Sequence, residues 1–286
     1  MSSAFALTSA ALFAFNALCV RWALRGASAL TITLASVVTN FSVLWLVAIL
    51  SGPLPRGLQA PAAIFLLAGA LSPALARLTL YKSIELIGVS RASTISNTAP
   101  LYSAILAVPL LGEHLSWRIG VGTVLVVMGL ALTLRPEAWG AVRRPWAAGA
   151  LLALNTAVMA SVSFILRKLG MRLLPLPALA SALTMTGALL ALLPYVLIRA
   201  RADVLRTDQG SLKYLLAAGL LSSGGFLLYF FALDLGTIVT VTPLANTTPL
   251  FAIAFLRLFR QGEPVALTTL VGAVLAVAGI LFVVGG

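Results

Sequence analysis

One histidine, His114, and one cysteine, Cys19, are all that the chain offers to a metal ion or a thiol nucleophile. A metal site needs several such ligands converging, so no metal is expected. A single cysteine forms no intramolecular disulfide. The acidic residues Glu85, Glu113, Glu137, Asp203, Asp208, Asp234 and Glu263 fall at the ends of apolar runs or in the polar stretches between them. A carboxylate in the middle of such a run would mark a proton or cation relay, and none stands there. An intramembrane enzyme needs a nucleophile–base pair or a metal constellation, which these residues do not supply. The chain reads as a non-enzyme without cofactors. Glu113 and Glu263 each follow a glycine where an apolar run ends, and the role expected of both is structural. His114, in the same turn, reads as a solvated loop residue.

What remains is the chemistry of recognition. Asn97-Thr98-Ala99-Pro100 and Asn246-Thr247-Thr248-Pro249 place amides and hydroxyls beside a proline. Proline inside a helix removes one backbone hydrogen bond and leaves a carbonyl free. In lipid that carbonyl must be re-satisfied or line a cavity, and Asn97, Asn246 and their threonines suit either role. Pro100, Pro243 and Pro249 are the expected hinges. Asn16 and Asn155 lie within apolar runs, where an amide bonds across helices or faces a cavity. Tyr81, Tyr102, Phe164 and Tyr229 offer aromatic surface to a partly apolar ligand, whereas Trp22 reads as an interfacial anchor. Arg77, near the end of its run, either snorkels to the headgroups or attracts a substrate carboxylate.

These residues are carried by a chain whose solvent is lipid. Hydrophobic residues make up 61% and charged ones 9%, against about 25% charged in soluble domains. The net charge of +12 comes from cations set singly or in small groups between apolar runs. Such placement anchors loops at a membrane, and nucleic acid is not an expected partner. The first twenty residues lack the basic start of a signal peptide and read as a first span. A bilayer-crossing helix takes about 20 apolar residues. Ten runs qualify, near 3–24, 28–50, 61–81, 92–111, 117–135, 146–169, 175–199, 212–235, 239–259 and 265–285.

The runs repeat. Besides the Asn-Thr-x-Pro elements, Leu80-Tyr81 is matched by Leu228-Tyr229, and Gly112-Glu113 by Gly262-Glu263. Gly122 and Gly129 are matched by Gly272 and Gly279, and Ala14-Phe15-Asn16 resembles Ala153-Leu154-Asn155. Residues 1–140 and 141–286 are therefore expected to be five-helix repeats. An odd number of spans in each half inverts one half relative to the other. Inverted repeats are the architecture of carriers that bind substrate near the midplane, where the halves meet. The expected fold is an all-α integral membrane protein of ten transmembrane helices in two inverted repeats. The glycine-spaced fifth and tenth spans are expected to form scaffold or a dimer face.

With Tyr81, the Pro100 element, Leu111-Gly112-Glu113 and the glycine-spaced helix after it, the chain resembles the EamA family of the drug/metabolite transporter superfamily. The resemblance covers both halves. Length and layout are similar to bacterial amino-acid exporters of the YddG type. Gln261 departs from the leucine usual before the second Gly-Glu. The resemblance implies a multi-pass inner-membrane exporter, monomeric or homodimeric, whose partners are lipids and a small-molecule substrate. Neutral or zwitterionic metabolites, amino acids first, are expected to move by alternating access without ion coupling. Sugars, lipid-linked head groups and proton-coupled export stand as alternatives. Most Lys and Arg fall after odd-numbered spans. By the positive-inside rule this puts both termini in the periplasm, whereas ten-span relatives are drawn with cytoplasmic termini.

Overall fold

The computed structural model describes residues 1–53, 55, 57–87, 89–133, 146–199, 207–258 and 267–285. Among them all regular structure is helical. The helices are α1 (Ser2–Ala23), α2 (Ala29–Leu50), α3 (Gln59–Gly69), α4 (Ala76–Ile87), α5 (Val89–Ser96), α6 (Ala99–Leu111) and α7 (Trp117–Thr133) in the first half. The second half contributes α8 (Trp146–Leu173), α9 (Pro177–Arg199), α10 (Gln209–Leu235), α11 (Ile238–Ala245), α12 (Thr248–Leu258) and α13 (Leu267–Val284).

Seven helical runs are long and apolar enough to cross a membrane: Ser2–Ala23, Thr31–Leu50, Gln59–Ile87, Arg91–Leu111, Trp146–Leu173, Pro177–Ile198 and Gln209–Leu235. The shorter apolar helices α7 and α13, and the pair α11–α12, occupy the other three expected positions. Two runs are longer than the sequence suggested. Helix continues through α4 to Ile87, so Lys82 lies on helix and not in a loop. Likewise α8 continues to Leu173, taking Arg172 out of the loop that follows it. Helical geometry persists beyond the apolar stretch because nothing before Gly88 or Pro175 breaks it.

Three of the runs are interrupted. Between α3 and α4, residues Ala70–Leu75 form a wide π-type turn with Ser72 in an extended conformation before Pro73. The other two breaks fall at the Asn-Thr-x-Pro elements and are built alike. Asn97 and Thr98 separate α5 from α6, as Asn246 and Thr247 separate α11 from α12. Thr98 donates through Oγ1 to the Ile95 carbonyl at 2.6 Å, and Thr247 to the Leu244 carbonyl at 2.6 Å. Pro100 and Pro249 therefore sit in the first turns of α6 and α12, not inside a helix. A proline there forfeits no hydrogen bond. Pro243 does lie within α11.

Packing follows the repeat. α7 crosses its counterpart α13 with the chains antiparallel, since Gly122 meets Gly279 and Gly129 meets Gly272 and Ala276. A Cβ on Gly129 would lie 2.5 Å from the Gly272 carbonyl oxygen, so only glycine lets these backbones meet. α2 and α9 cross antiparallel as well, joined by a 2.9 Å hydrogen bond from Trp45 Nε1 to Thr186. α1 packs on α10 and on α11–α12; α8 packs on α3–α4 and on α5–α6. Each neighbour of α1 thus has its counterpart beside α8.

Candidate functional site

α8 carries a row of hydroxyls that hold it to the interrupted helices of the first half. Ser163 donates to the carbonyls of Ala68 and Ser72 at 2.7 and 3.2 Å, and Ser161 to that of Ala99 at 2.8 Å. Thr156 bonds Thr79 at 2.8 Å and reaches the Ala76 carbonyl. Its counterpart contact is Ser9 of α1, which donates to the Gly225 carbonyl of α10 at 2.7 Å. With Leu80-Tyr81 matched to Leu228-Tyr229, this pairs Ser9 with Thr156. Asn16 then stands opposite Ser163, not Asn155, and Arg21 and Arg25 stand opposite Lys168 and Arg172. The match of Asn16 to Asn155 read from the sequence is out of register by about two helical turns.

Arg167 is the residue that sequence reasoning missed. Its side chain is 3% exposed, and its guanidinium carbon lies 5.7 to 6.0 Å from the ring centroids of Phe164, Phe226, Tyr229 and Phe230. Nη2 donates to the Ser72 carbonyl freed by the α3–α4 break. Nε and the Tyr229 hydroxyl are buried without a hydrogen-bond partner. Ser72 lies near the middle of the run Gln59–Ile87, so the guanidinium sits at mid-depth. It gets there because a helical side chain leans toward the N-terminus of its own helix. No carboxylate pairs with it among the described residues. The sequence held one signal, Phe164 three residues before Arg167 on the same helix face; the register taken from the structure adds that Arg167 stands opposite Val20 while its cationic neighbours have cationic counterparts.

The remaining expected site residues fall in three groups. Phe164 and Tyr229 meet at Arg167, with ring centroids 5.9 Å apart. Asn97 and Asn246 flank the paired breaks; Asn246 Nδ2 donates to the Thr242 carbonyl at 2.8 Å, and Asn97 is half-buried. The breaks are tied across the halves by Ser103 of α6 and Thr242 of α11, 2.9 Å apart and fully buried. Tyr102 lies half-buried beside Ser103 on α6. Asn16 buries its Oδ1 without a partner. Tyr81 is 40% exposed and approaches Thr33 at 3.4 Å, whereas its counterpart Tyr229 is 4% exposed. Arg77 is half-buried and Asn155 is exposed.

At the face where α6, α8 and α10 end, charged groups close the structure. The buried Glu113 carboxylate accepts the Ile238 and Val239 N–H groups at 2.9 and 3.1 Å, capping α11. Lys168 donates to the carbonyls of Leu233 and Gly236, and Arg172 to that of Leu111 at 2.6 Å. Anion at a helix start and cation at a helix end both match the helix dipole. His114 is exposed beside this cap. At the opposite face Arg21 and Arg25 are exposed. Glu263 and Gln261 lie outside the described residues.

Interrupted apolar helices around a polar, charge-bearing centre define an integral membrane protein of the carrier type. The model of the EamA-like transporter family matches residues 1–135 and again residues 147–285. The chain belongs to this family and is a multi-pass membrane transporter. A solved crystal structure 16% identical in sequence shares the fold, with a TM-score of 0.80 over 98% of this chain and 95% of that one. No curated protein matches the chain in sequence.

Proposed function

We propose that the protein is a ten-span carrier of two inverted five-helix repeats, residues 1–140 and 141–286, which exports small neutral or zwitterionic metabolites. Amino acids, aromatic ones included, are the first candidates. The observation that carries this reading is the seam at which the two repeat-matched breaks meet through Ser103 and Thr242. The antiparallel crossings of α7 with α13 and of α2 with α9 support the inversion, because counterparts related in that way traverse the membrane in opposite senses. Aromatic rings beside free amides and one buried cation suit a ligand with an apolar body and a charged head. Asn16, Arg77, Tyr81, Asn97, Tyr102, Asn155, Phe164, Tyr229 and Asn246 are its proposed contacts. Pro100, Pro243 and Pro249 mark the segments that bend as one half rocks against the other. Among the described residues no membrane-embedded carboxylate offers a proton relay, which favours uncoupled movement in an inner membrane.

The test is counterflow of labelled phenylalanine and alanine into liposomes containing the purified protein, without any ion gradient. Saturable exchange, impaired by Asn246→Ala, is the expected result. Absence of exchange for every amino acid tried would remove amino acids as the substrate class.

A further inference from the structure

We infer that Arg167 and Tyr229 form a binding site for a carboxylate, the charged head of the transported molecule. This deepens the proposed function and rests on its placing of the substrate between the halves.

A guanidinium presents five N–H donors in a planar fork. One terminal nitrogen is taken by the Ser72 carbonyl, and Nε is buried with no partner. Leaving such a donor unmade in a low-dielectric interior is costly, and a fixed cation at mid-depth is rarer still unless it has work to do. The four rings offset part of its charge through their π faces, but they supply no hydrogen-bond acceptor in the plane of the fork. The Tyr229 hydroxyl, buried on the opposing helix, lies beside the guanidinium, where its oxygen can take one N–H of the fork; its own proton still has no acceptor. The charged fork and the neutral O–H converge from α8 and α10 with no anion between them among the described residues. The chemistry that satisfies both is a planar anion with two acceptor oxygens. One oxygen takes Nε–H and its neighbouring terminal N–H, and the other takes the tyrosine O–H. A carboxylate has that shape, and its bonds to the guanidinium are charge-assisted.

A structural role for Arg167 accounts for Nη2 at the α3–α4 break, where Ser163 already donates to the same carbonyl. It does not account for the fork and the tyrosine proton converging with no anion between them. In this proposal a ligand reaches the guanidinium past Phe164, which is half-buried while Phe230 and Tyr229 are buried. A ligand entering there lays its apolar body against the rings and its anionic head on the guanidinium. An amino acid, a keto acid or a simple arylalkanoate fits. A cation or an uncharged amine does not.

Binding of 3-phenylpropionate and of its uncharged amide, 3-phenylpropionamide, to the purified protein in a neutral detergent tests this. The acid is expected to bind at least about tenfold more tightly than the amide, the range of a hydrogen bond to a charged group. Arg167→Gln is expected to abolish that preference. Tyr229→Phe, which keeps the ring and removes only the hydroxyl, is expected to reduce it several-fold. If Arg167→Gln does not fold, Tyr229→Phe decides: an unchanged acid-over-amide ratio overturns the inference. Equal binding of acid and amide by the unmodified protein overturns it too. Phenylalanine counterflow with no acid preference would leave the proposed transport standing and remove the carboxylate site. Arg167-dependent binding of the acid without any amino-acid counterflow would do the reverse.

Discussion

Replacing Glu113 by Gln keeps shape and volume and removes one charge from the cap on α11. In the structure both carboxylate oxygens are engaged, Oε1 by Ile238 N–H at 2.9 Å and Oε2 by Val239 N–H at 3.1 Å. Hydrogen bonds to a charged group are worth about 1.5–3 kcal/mol each, and neutral ones about 1 kcal/mol. Glutamine retains one neutral bond and turns its own NH2 toward the other N–H, leaving a buried donor unmet. With the lost attraction of an anion for a helix N-terminus, about 0.5 kcal/mol, the net loss is about 2.5–5.5 kcal/mol. Glu113 belongs to the first half and α11 to the second, so the loss falls on the state in which this face is shut. At 1.4 kcal/mol per factor of ten, the balance moves toward the open state by about 60- to 8,000-fold. Val241 reports on it, being fully buried in α11 one turn past the cap. In a Cys19→Ala background, Val241→Cys is expected to react with a membrane-impermeant maleimide at least about tenfold faster when Glu113→Gln is added. A lowered melting temperature with unchanged labelling would refute the reasoning, because the cap would then be a fixed strut common to both states.

Four further outcomes follow from particular contacts. Ser163→Ala removes the only hydroxyl bridging the Ala68 and Ser72 carbonyls and is expected to destabilise the protein by about 1–3 kcal/mol, read as a lower melting temperature in detergent. Gly129→Leu drives a side chain into the α13 backbone and is expected to abolish a monodisperse folded product, whereas Gly120→Leu, whose added Cβ meets nothing within 4 Å, is expected to be silent in size-exclusion chromatography. Asn40→Ala strips the shared acceptor from Ser222 and Ser223, and separation of α2 from α10 is expected to appear as faster amide exchange in both helices. Asp208, in the polar segment before α10, is held below the usual carboxylate range by the Ser211 hydroxyl and then by the Ser211 N–H. A depressed acid stabilises the fold above its unfolded value, about 3.9, and loses that contribution as pH falls through the lower folded value. Protection of the Ser211 amide relative to its intrinsic exchange rate should be constant between neutrality and about pH 4 and fall below it, and Asp208→Asn should remove that acid step.

The helices were legible because hydrophobic run length is a one-dimensional signal, and the repeat was legible because Tyr81, Asn97, Gly112 and Gly122 keep almost constant spacing to their counterparts. The carrier class followed from both. What stayed hidden depends on burial, which sequence does not display. Arg167, Lys168 and Arg172 were passed over because a cation at the end of an apolar run is ordinarily solvated; only the aromatic faces of α10 reveal that one of them turns inward. Pro100 and Pro249 looked like interior kinks, since nothing local says that the helix stops four residues earlier. Glu113 was legible as structural, but its partner at α11 stands more than a hundred residues away and on the other repeat.

The departures from repeat symmetry are where function is concentrated. A duplicated gene whose halves stay equivalent has no reason to favour one face over the other, and two faces shut or open together would make a plug or a pore. Here Tyr229 is enclosed where Tyr81 is exposed, and Lys168 and Arg172 are bonded where Arg21 and Arg25 are exposed. The differences share one sense: at the face where α6, α8 and α10 end, Glu113, Lys168 and Arg172 are bonded, whereas Tyr81, Arg21 and Arg25 are exposed. A carrier working by alternating access must be able to exchange those two environments, because each half is built from the same parts. Arg167 is the exception. Its counterpart is Val20, so no exchange of environments moves the charge to the other half, and the cation stays with α8 throughout the cycle. On the alternating-access reading proposed above, Glu113, Lys168 and Arg172 are the parts that would alternate and Arg167 the part that would not. If Arg167 holds the carboxylate as inferred, a substrate head would meet the same cation from either side.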